Sequence, residues 1–200
     1  MVYFSDASSK YGYHDVLADA LEHQPHGRLL QYDPKTGQTK TLLSNLYFAN
    51  GVAVGPNADY VLVNETSAYR VTRYWLTGPK AGQSDLFIDN LPGFPDGISY
   101  DRNGRFWLAI YAPRSPELDK FADSPRIRNI IYRLPAFMHP KPVMHAMVLA
   151  LNKNGSVVEN LQDSSTDAYA PITSVEAVGN HLYLGSLSFP AIGRLPRPQK

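Results

Sequence analysis

The most informative absence in this sequence of 200 residues is cysteine, which does not occur. Without cysteine the chain has no disulfide scaffold, no thiolate-bound zinc or iron–sulfur cluster and no thiol nucleophile. An excess of charge is also missing, since 19 Lys and Arg residues face 18 Asp and Glu residues. A chain with so little net charge has no basic field that attracts nucleic acid, so we expect no nucleic-acid partner.

Long hydrophobic runs are missing as well. Residues 144–151 form one of the longer apolar runs, which is far shorter than the roughly 20 residues that a helix needs to cross a bilayer. No basic segment typical of a signal peptide precedes Val2. We therefore expect no membrane span within this chain, and we expect it to be soluble as given, cytoplasmic or periplasmic if its source is bacterial. The G-x-S-x-G, H-E-x-x-H and glycine-rich phosphate-loop motifs are also absent.

The residues that are abundant favour β-structure. The chain has 13 Tyr, 8 Phe and 2 Trp among many Val, Ile and Leu residues, which suit a pleated, half-buried surface. Its 14 Gly and 16 Pro residues disfavour long helices. Short apolar runs alternate with turn signals at residues 33–37, 55–57, 101–104 and 152–155, which predicts an antiparallel meander.

The apolar runs also repeat at a regular spacing. Residues 48–63 contain two runs separated by a turn, and residues 94–109 repeat that pattern, with Asn50 of the first unit 46 residues before Asp96 of the second (50 to 96). A weaker copy spans residues 172–184. Four strands per repeat of about 40–50 residues is typical of a propeller blade. We therefore predict an all-β fold, with about three and a half blades of a β-propeller in residues 1–200.

The predicted three and a half blades are fewer than a closed propeller contains. Propellers close 4–8 blades into a ring that protects the sheet edges, and residues 2–6 match the second strand of a repeat whose first strand is absent. We therefore expect the missing N-terminal blades upstream, which makes residues 1–200 a single truncated domain.

Residues 113–142 contain six prolines around a helix-like stretch, and we predict a helical insertion between the second and third strands of a blade. This insertion either caps the mouth of the propeller or is a surface segment without a functional role.

Several stretches resemble the strictosidine synthase-like proteins, which include the adipocyte plasma membrane-associated proteins. The resemblance runs from residue 2 to about residue 195 and implies the C-terminal two-thirds of a six-bladed propeller of the SMP-30, gluconolactonase and paraoxonase type, with calcium at the top of the channel. The stretches that carry it are residues 3–11, 27–33, 48–52, 70–82 and 92–97.

The resemblance also implies that Asp6, Asn50 and Asp96 supply oxygen ligands to the calcium ion. Their chemistry is suitable, because Ca²⁺ is a hard cation that takes 6–8 oxygen ligands. The fourth ligand of the family, a Glu of the first blade, would lie upstream of residue 1. The alternative interpretation is that Asn50-Gly51 and Asp96-Gly97 are ordinary turn dipeptides.

The catalytic machinery is less well defined. Thr173 and Ser174 align with the region where the family carries its catalytic residues, and Glu176 lies two or three positions later. Because side chains alternate between the faces of a strand, Glu176 is a weak candidate, and strictosidine synthase activity itself is not expected. The resemblance implies a calcium-dependent esterase or lactonase, arylesterase-like, that acts on a small-molecule ester or lactone. The alternatives are a non-catalytic binding or scaffold propeller and an inactive fragment of such an enzyme.

Overall fold

The computed structural model describes residues 1–121, 124–139 and 142–198, which form a succession of short antiparallel strands. The strands are β1 (Val2–Asp6), β2 (Gly27–Asp33), β3 (Gln38–Leu46), β4 (Ala49–Val54), β5 (Tyr60–Glu65), β6 (Arg70–Trp75), β7 (Ser84–Ile88), β8 (Gly93–Tyr100), β9 (Arg105–Pro113), β10 (Ala146–Asn152), β11 (Val157–Asp163), β12 (Ser174–Val178), β13 (His181–Gly185) and β14 (Gly193–Pro196). The helices are α1 (Val16–Glu22), α2 (Pro116–Lys120) and α3 (Pro125–Arg133).

The strands of the described residues form four sheets, each built from consecutive strands. The first sheet has the order β1-β2-β3, the second β4-β5-β6-β7, the third β8-β9-β10-β11 and the fourth β12-β13-β14. The first strand of each sheet is an edge, and these edges lie beside one another: β4 contacts β1 and β8, and β8 contacts β12. The predicted all-β fold with antiparallel sheets is confirmed.

The core lies between successive sheets. Because side chains alternate between the two faces of a strand, a strand packed on both faces needs a continuous apolar run. In β9, Phe106, Leu108 and Ile110 pack toward the second sheet, whereas Trp107 and Ala109 pack toward the fourth. The run is therefore long enough to serve two interfaces at once. A smaller cluster joins the first and second sheets and consists of Leu29, Leu46, Ala49, Val61 and Val63.

The helical segment follows β9 and precedes β10, which are the second and third strands of the third sheet. The predicted insertion, residues 113–142, includes residues 122–123 and 140–141, which lie outside the described residues. Helix α3 of this segment contacts α1, a helix that the sequence analysis did not predict. In the described parts of the chain, each helix is too short or too polar to pass through a lipid bilayer.

An ion-pair network secures the hairpin of β6 and β7. The Asp85 carboxylate accepts hydrogen bonds from Arg73 at 2.8 and 3.1 Å, from the Trp75 indole at 3.1 Å and from the Lys80 ammonium at 3.1 Å. The Arg73 guanidinium, with smaller contributions from the other donors, lowers the pKa of Asp85 to about 2. Asp85 therefore stabilises the folded chain as a carboxylate.

This network predicts a pH-dependent effect of Asp85→Asn. A carboxyl whose pKa is lower in the folded than in the unfolded chain, where it is about 3.9, stabilises the fold above pH 4, and that contribution is lost as the pH falls toward 2. We expect the substitution to lower the free energy of unfolding by about 1–2 kcal/mol at pH 7, because the carboxylate is partly exposed and screened. Urea unfolding of variant and wild type measures the difference, with the exposed Asp167→Asn as control. A difference that stays constant below pH 4 would contradict the assignment.

Candidate metal site and adjoining cleft

The candidate site lies where the edge strands β4 and β8 approach each other most closely. A Cβ atom on Gly51 would lie 2.6 Å from the backbone nitrogen of Ile98 and closer still to the carbonyl oxygen of Asp96. A Cβ atom on Gly97 would lie 2.6 Å from the carbonyl oxygen of Thr173, which accepts a hydrogen bond from the Gly97 N–H at 2.9 Å. Both positions require glycine because the neighbouring backbone leaves no room for a side chain.

The dipeptides Asn50-Gly51 and Asp96-Gly97 form β-bulges. In each case two residues of the first strand face one residue of the second strand: Asn64 in the second sheet and Ala109 in the third. Neither glycine has a positive φ, and both dipeptides lie inside strands. The turn interpretation is therefore wrong. A bulge redirects the local side chains, and this is how strands commonly aim residues at a functional site.

The structure brings Asn50 and Asp96 together. Burial raises the pKa of Asp96 to about 7, and the nearby Asn50 amide opposes this with a smaller lowering effect. Burial and the nearby charge of Asp96 likewise raise the pKa of Tyr111. Two of the three predicted metal ligands are thus neighbours, in a setting where a carboxylate has few compensating donors.

Two polar side chains hold the backbone at Asp96. The Asn64 amide donates to the Asp96 carbonyl at 2.5 Å, and the Thr66 hydroxyl donates to the Pro95 carbonyl at 2.6 Å. The Thr66 hydroxyl also accepts a hydrogen bond from the Asn50 amide at 3.2 Å. Asn64 is fully buried, and its Oδ1 has no hydrogen-bond partner among the described residues. The sequence analysis identified neither residue, because both contacts join segments about 30 positions apart.

A buried carboxylate fixes the segment that precedes Asn50. Glu65 is fully buried and accepts two hydrogen bonds from Arg70 at 2.8 Å, one from the Thr72 hydroxyl at 2.6 Å and one from the Tyr47 N–H at 3.0 Å. Four donors compensate for the loss of water that burial imposes on a charged group. Glu65 is thus satisfied within the fold and has a structural role.

Asp6, the third predicted ligand, is engaged elsewhere. Its Oδ2 accepts hydrogen bonds from Arg28 Nε at 2.9 Å and Nη2 at 2.5 Å. The two residues lie opposite each other in β1 and β2. Among the described residues, Arg28 is the partner that the structure gives to Asp6, so this carboxylate is already neutralised by a cation of the chain.

The predicted catalytic candidates divide between two places. Thr173 and Ser174 lie against Gly97, at the level of the Asn50–Asp96 pair. Glu176 is exposed and lines a separate cleft of about 760 Å³ together with Tyr100. The lining of this cleft begins at Val52 and Ile98, each two residues beyond a member of the pair, and includes neither Asn50 nor Asp96. Glu176 therefore faces a different cleft from the one that Thr66 lines.

An apolar cleft of about 730 Å³ is lined by Thr66, whose hydroxyl accepts the hydrogen bond from Asn50. Its lining includes Phe48 and Phe94, which each precede one member of the pair by two residues, as well as Tyr111 and Thr66. Residues of α1 and of the helical segment after β9 complete the walls. A concave, largely apolar surface with a few polar groups at its base is the usual form of a small-molecule site.

The oxygen donors of Asn50 and Asp96 fit a hard cation. The described residues contain no cluster of three or more His, Cys, Asp or Glu side chains that could hold a metal ion. The available ligands are oxygen atoms of one carboxylate, Asp96, and of neighbouring amides. Calcium accepts carboxylate, amide and backbone oxygens together with water, whereas softer metals prefer nitrogen or sulfur.

The close approach at Gly51 predicts that this position does not tolerate even alanine. We expect Gly51→Ala to lower the free energy of unfolding by about 2–3 kcal/mol, because β4 and β8 must separate to admit the methyl group. Gly12→Ala is the matched control, since a Cβ there meets nothing within 4 Å, and we expect a change within about 0.5 kcal/mol. Urea unfolding measures both, and a Gly51→Ala variant as stable as wild type would contradict the proposed packing.

Comparisons with known proteins agree with the family resemblance of the sequence motifs. A family model described as strictosidine synthase matches residues 1–79. The chain is 34% identical over 203 residues to the adipocyte plasma membrane-associated protein of Bos taurus, covering 97% of this chain and 48% of that protein. It is also 34% identical over 196 residues to strictosidine synthase-like protein 4 of Arabidopsis thaliana, covering 98% and 51%. The chain spans about half the length of these relatives.

Solved structures show the same architecture. A luciferin-regenerating enzyme superposes with a TM-score of 0.56 at 15% identity, covering 91% of this chain and 48% of that one. A gluconolactonase of Xanthomonas campestris gives a TM-score of 0.55 at 15% identity, covering 86% and 45%. Regucalcin, a calcium-binding protein of Agrobacterium tumefaciens, gives 0.52 at 14% identity, covering 82% and 45%. This likeness concerns the fold alone. The sequence similarity over 97–98% of this chain makes it a relative of the strictosidine synthase-like proteins.

Proposed function

We propose that this chain is part of a calcium-dependent hydrolase of small-molecule esters or lactones. The observation that carries the proposal is that the Thr66 hydroxyl joins the Asn50 amide to the backbone beside Asp96, and that Thr66 also lines an apolar cleft. We further propose that the sheets form about three and a half blades of a six-bladed propeller, whose remaining blades lie upstream. The fold that the chain shares with a gluconolactonase and with a calcium-binding protein supports this proposal.

Asn50 and Asp96 are the residues that would hold the calcium ion. Asp96 would provide the charge, and the Asn50 amide oxygen would provide a neutral ligand. Asp6 is the third proposed ligand. Because its carboxylate already pairs with Arg28, we expect it to contribute less affinity than Asp96.

The residues around the pair have distinct tasks in this proposal. Calcium, when bound, supplies a Lewis acid for the carbonyl oxygen of an ester or lactone. Phe48 and Phe94 offer apolar surface for the hydrocarbon part of the substrate and exclude water from the base of the cleft. Tyr111 lines the same cleft and carries a hydroxyl group suited to hydrogen-bond the substrate. A substrate with an apolar aryl or alkyl group matches this lining best.

The proposal predicts that calcium stabilises the chain and that Asp96 is required for this effect. A ligand that binds the folded state alone stabilises it by about 2.7 kcal/mol at a hundredfold excess over its Kd. We therefore expect the melting temperature to rise by several degrees from excess EDTA to about 1 mM Ca²⁺ under that relation. We also expect calcium-dependent hydrolysis of an aryl ester. Asp96→Asn should abolish both effects, and the exposed Asp167→Asn should abolish neither.

The same experiment separates the alternative functions. A cooperative melt that is indifferent to calcium, without hydrolysis, would contradict the proposal and favour a binding or scaffold propeller. The absence of a cooperative melt would favour an inactive fragment that requires further blades.

A further inference from the structure

We infer that Thr66 is a positioning residue for the metal site, because its hydroxyl group determines which atom of the Asn50 amide faces the cation. This inference rests on the proposed calcium site. It concerns a residue that neither the repeat nor the resemblance to known proteins singles out.

Thr66 connects its own segment, directly after β5, to the segments that contain Asn50 and Asp96. Its N–H donates to the carbonyl oxygen of Phe48 at 3.1 Å, which ties it to the segment before β4. Its hydroxyl donates to the carbonyl oxygen of Pro95 at 2.6 Å, in β8 of the next sheet. The same hydroxyl accepts a hydrogen bond from Asn50 Nδ2 at 3.2 Å. Thr66 thus contacts the backbone next to Asp96 and the side chain of Asn50 at once.

The direction of these hydrogen bonds determines the orientation of Asn50. A threonine hydroxyl has one proton, and a backbone carbonyl can only accept, so the proton of Thr66 is used by Pro95. Toward Asn50 the hydroxyl can therefore only accept, and Asn50 must present its NH₂ group to Thr66. This leaves Oδ1 of Asn50 free for a cation, which binds oxygen and not an amide NH₂. Without the hydroxyl group, the Asn50 NH₂ loses this acceptor, and the nearby Asp96 carboxyl alone holds the orientation of the amide less firmly.

Asn64 holds the next carbonyl group in the same way. Its Nδ2 donates to the Asp96 carbonyl at 2.5 Å, while Thr66 holds the Pro95 carbonyl. Two successive carbonyl groups of β8 are thus tied to the end of β5, at the bulge that carries Asp96. The two contacts limit rotation of the peptide planes on either side of the Asp96 carboxylate. Outer partners of this kind typically account for 10–100-fold in metal affinity.

Calcium titration calorimetry of Thr66→Val tests the inference. Valine preserves the β-branched shape and removes the hydroxyl group. We expect the Kd for Ca²⁺ to rise about tenfold or more, and we expect Thr66→Ser, which keeps the hydroxyl group, to retain the wild-type affinity. Rescue by serine is a result that a purely steric role of Thr66 would not give.

Ser99→Ala is the matched control. The Ser99 hydroxyl also donates to a backbone carbonyl of the neighbouring sheet, that of Val175, at 2.7 Å, but it contacts neither Asn50 nor Asp96. We expect the Ser99→Ala variant to bind calcium with the affinity of wild type. We also expect its melting temperature in EDTA to fall by about as much as that of Thr66→Val. If Thr66→Val gives no cooperative melt in EDTA, Thr66→Ala takes its place, with the same expected loss of affinity.

The outcomes separate this inference from the proposed function. If wild type does not bind calcium, the proposed function is wrong and the inference falls with it. If wild type binds and Thr66→Val binds equally well, the inference alone is wrong. If Ser99→Ala loses as much affinity as Thr66→Val, the loss reflects general destabilisation, which also overturns the inference.

Discussion

The close approach of neighbouring edge-strand backbones at Gly51 and Gly97 is the constraint on which the other features of this structure depend. Because these residues lack a Cβ atom, β4, β8 and β12 lie against one another, and the sheets behind them are near enough for apolar side chains to fill the gaps. The same approach places two β-bulges side by side and brings Asn50 to Asp96. Core packing and the candidate site thus follow from one backbone arrangement.

Two carboxyl groups, those of the fully buried Glu65 and the partly buried Asp96, differ in how well the fold compensates them. Glu65 receives four hydrogen bonds and is fully compensated, so it serves to fix the segment before β4. Burial raises the pKa of Asp96, and beside it the Asn64 Oδ1 has no partner among the described residues. An under-compensated group costs stability and is retained at functional sites more often than elsewhere. The candidate site is therefore the under-compensated one of the two.

The parts of the fold that were predictable from sequence are those where local pattern and tertiary packing agree. The runs at residues 60–63 and 106–110 are apolar throughout because both faces of β5 and β9 are buried. Strands β3 and β11 are mostly exposed, so their sequences carry no such pattern and they were missed. The repeat places Asn50 and Asp96 at matching positions, and the resemblance to the family implied their role as ligands. Neither could identify Thr66, because that role depends on the register between two sheets.

A crystal structure of the chain grown with calcium tests the central claim most directly. We expect a cation bound between Asn50 and Asp96, with the Asn50 Oδ1 and an Asp96 carboxylate oxygen about 2.3–2.6 Å from it, as is usual for Ca²⁺. We also expect the Asn50 NH₂ group still to donate to Thr66. A well-ordered structure at saturating calcium in which Asp96 contacts Asn50 alone would contradict that claim.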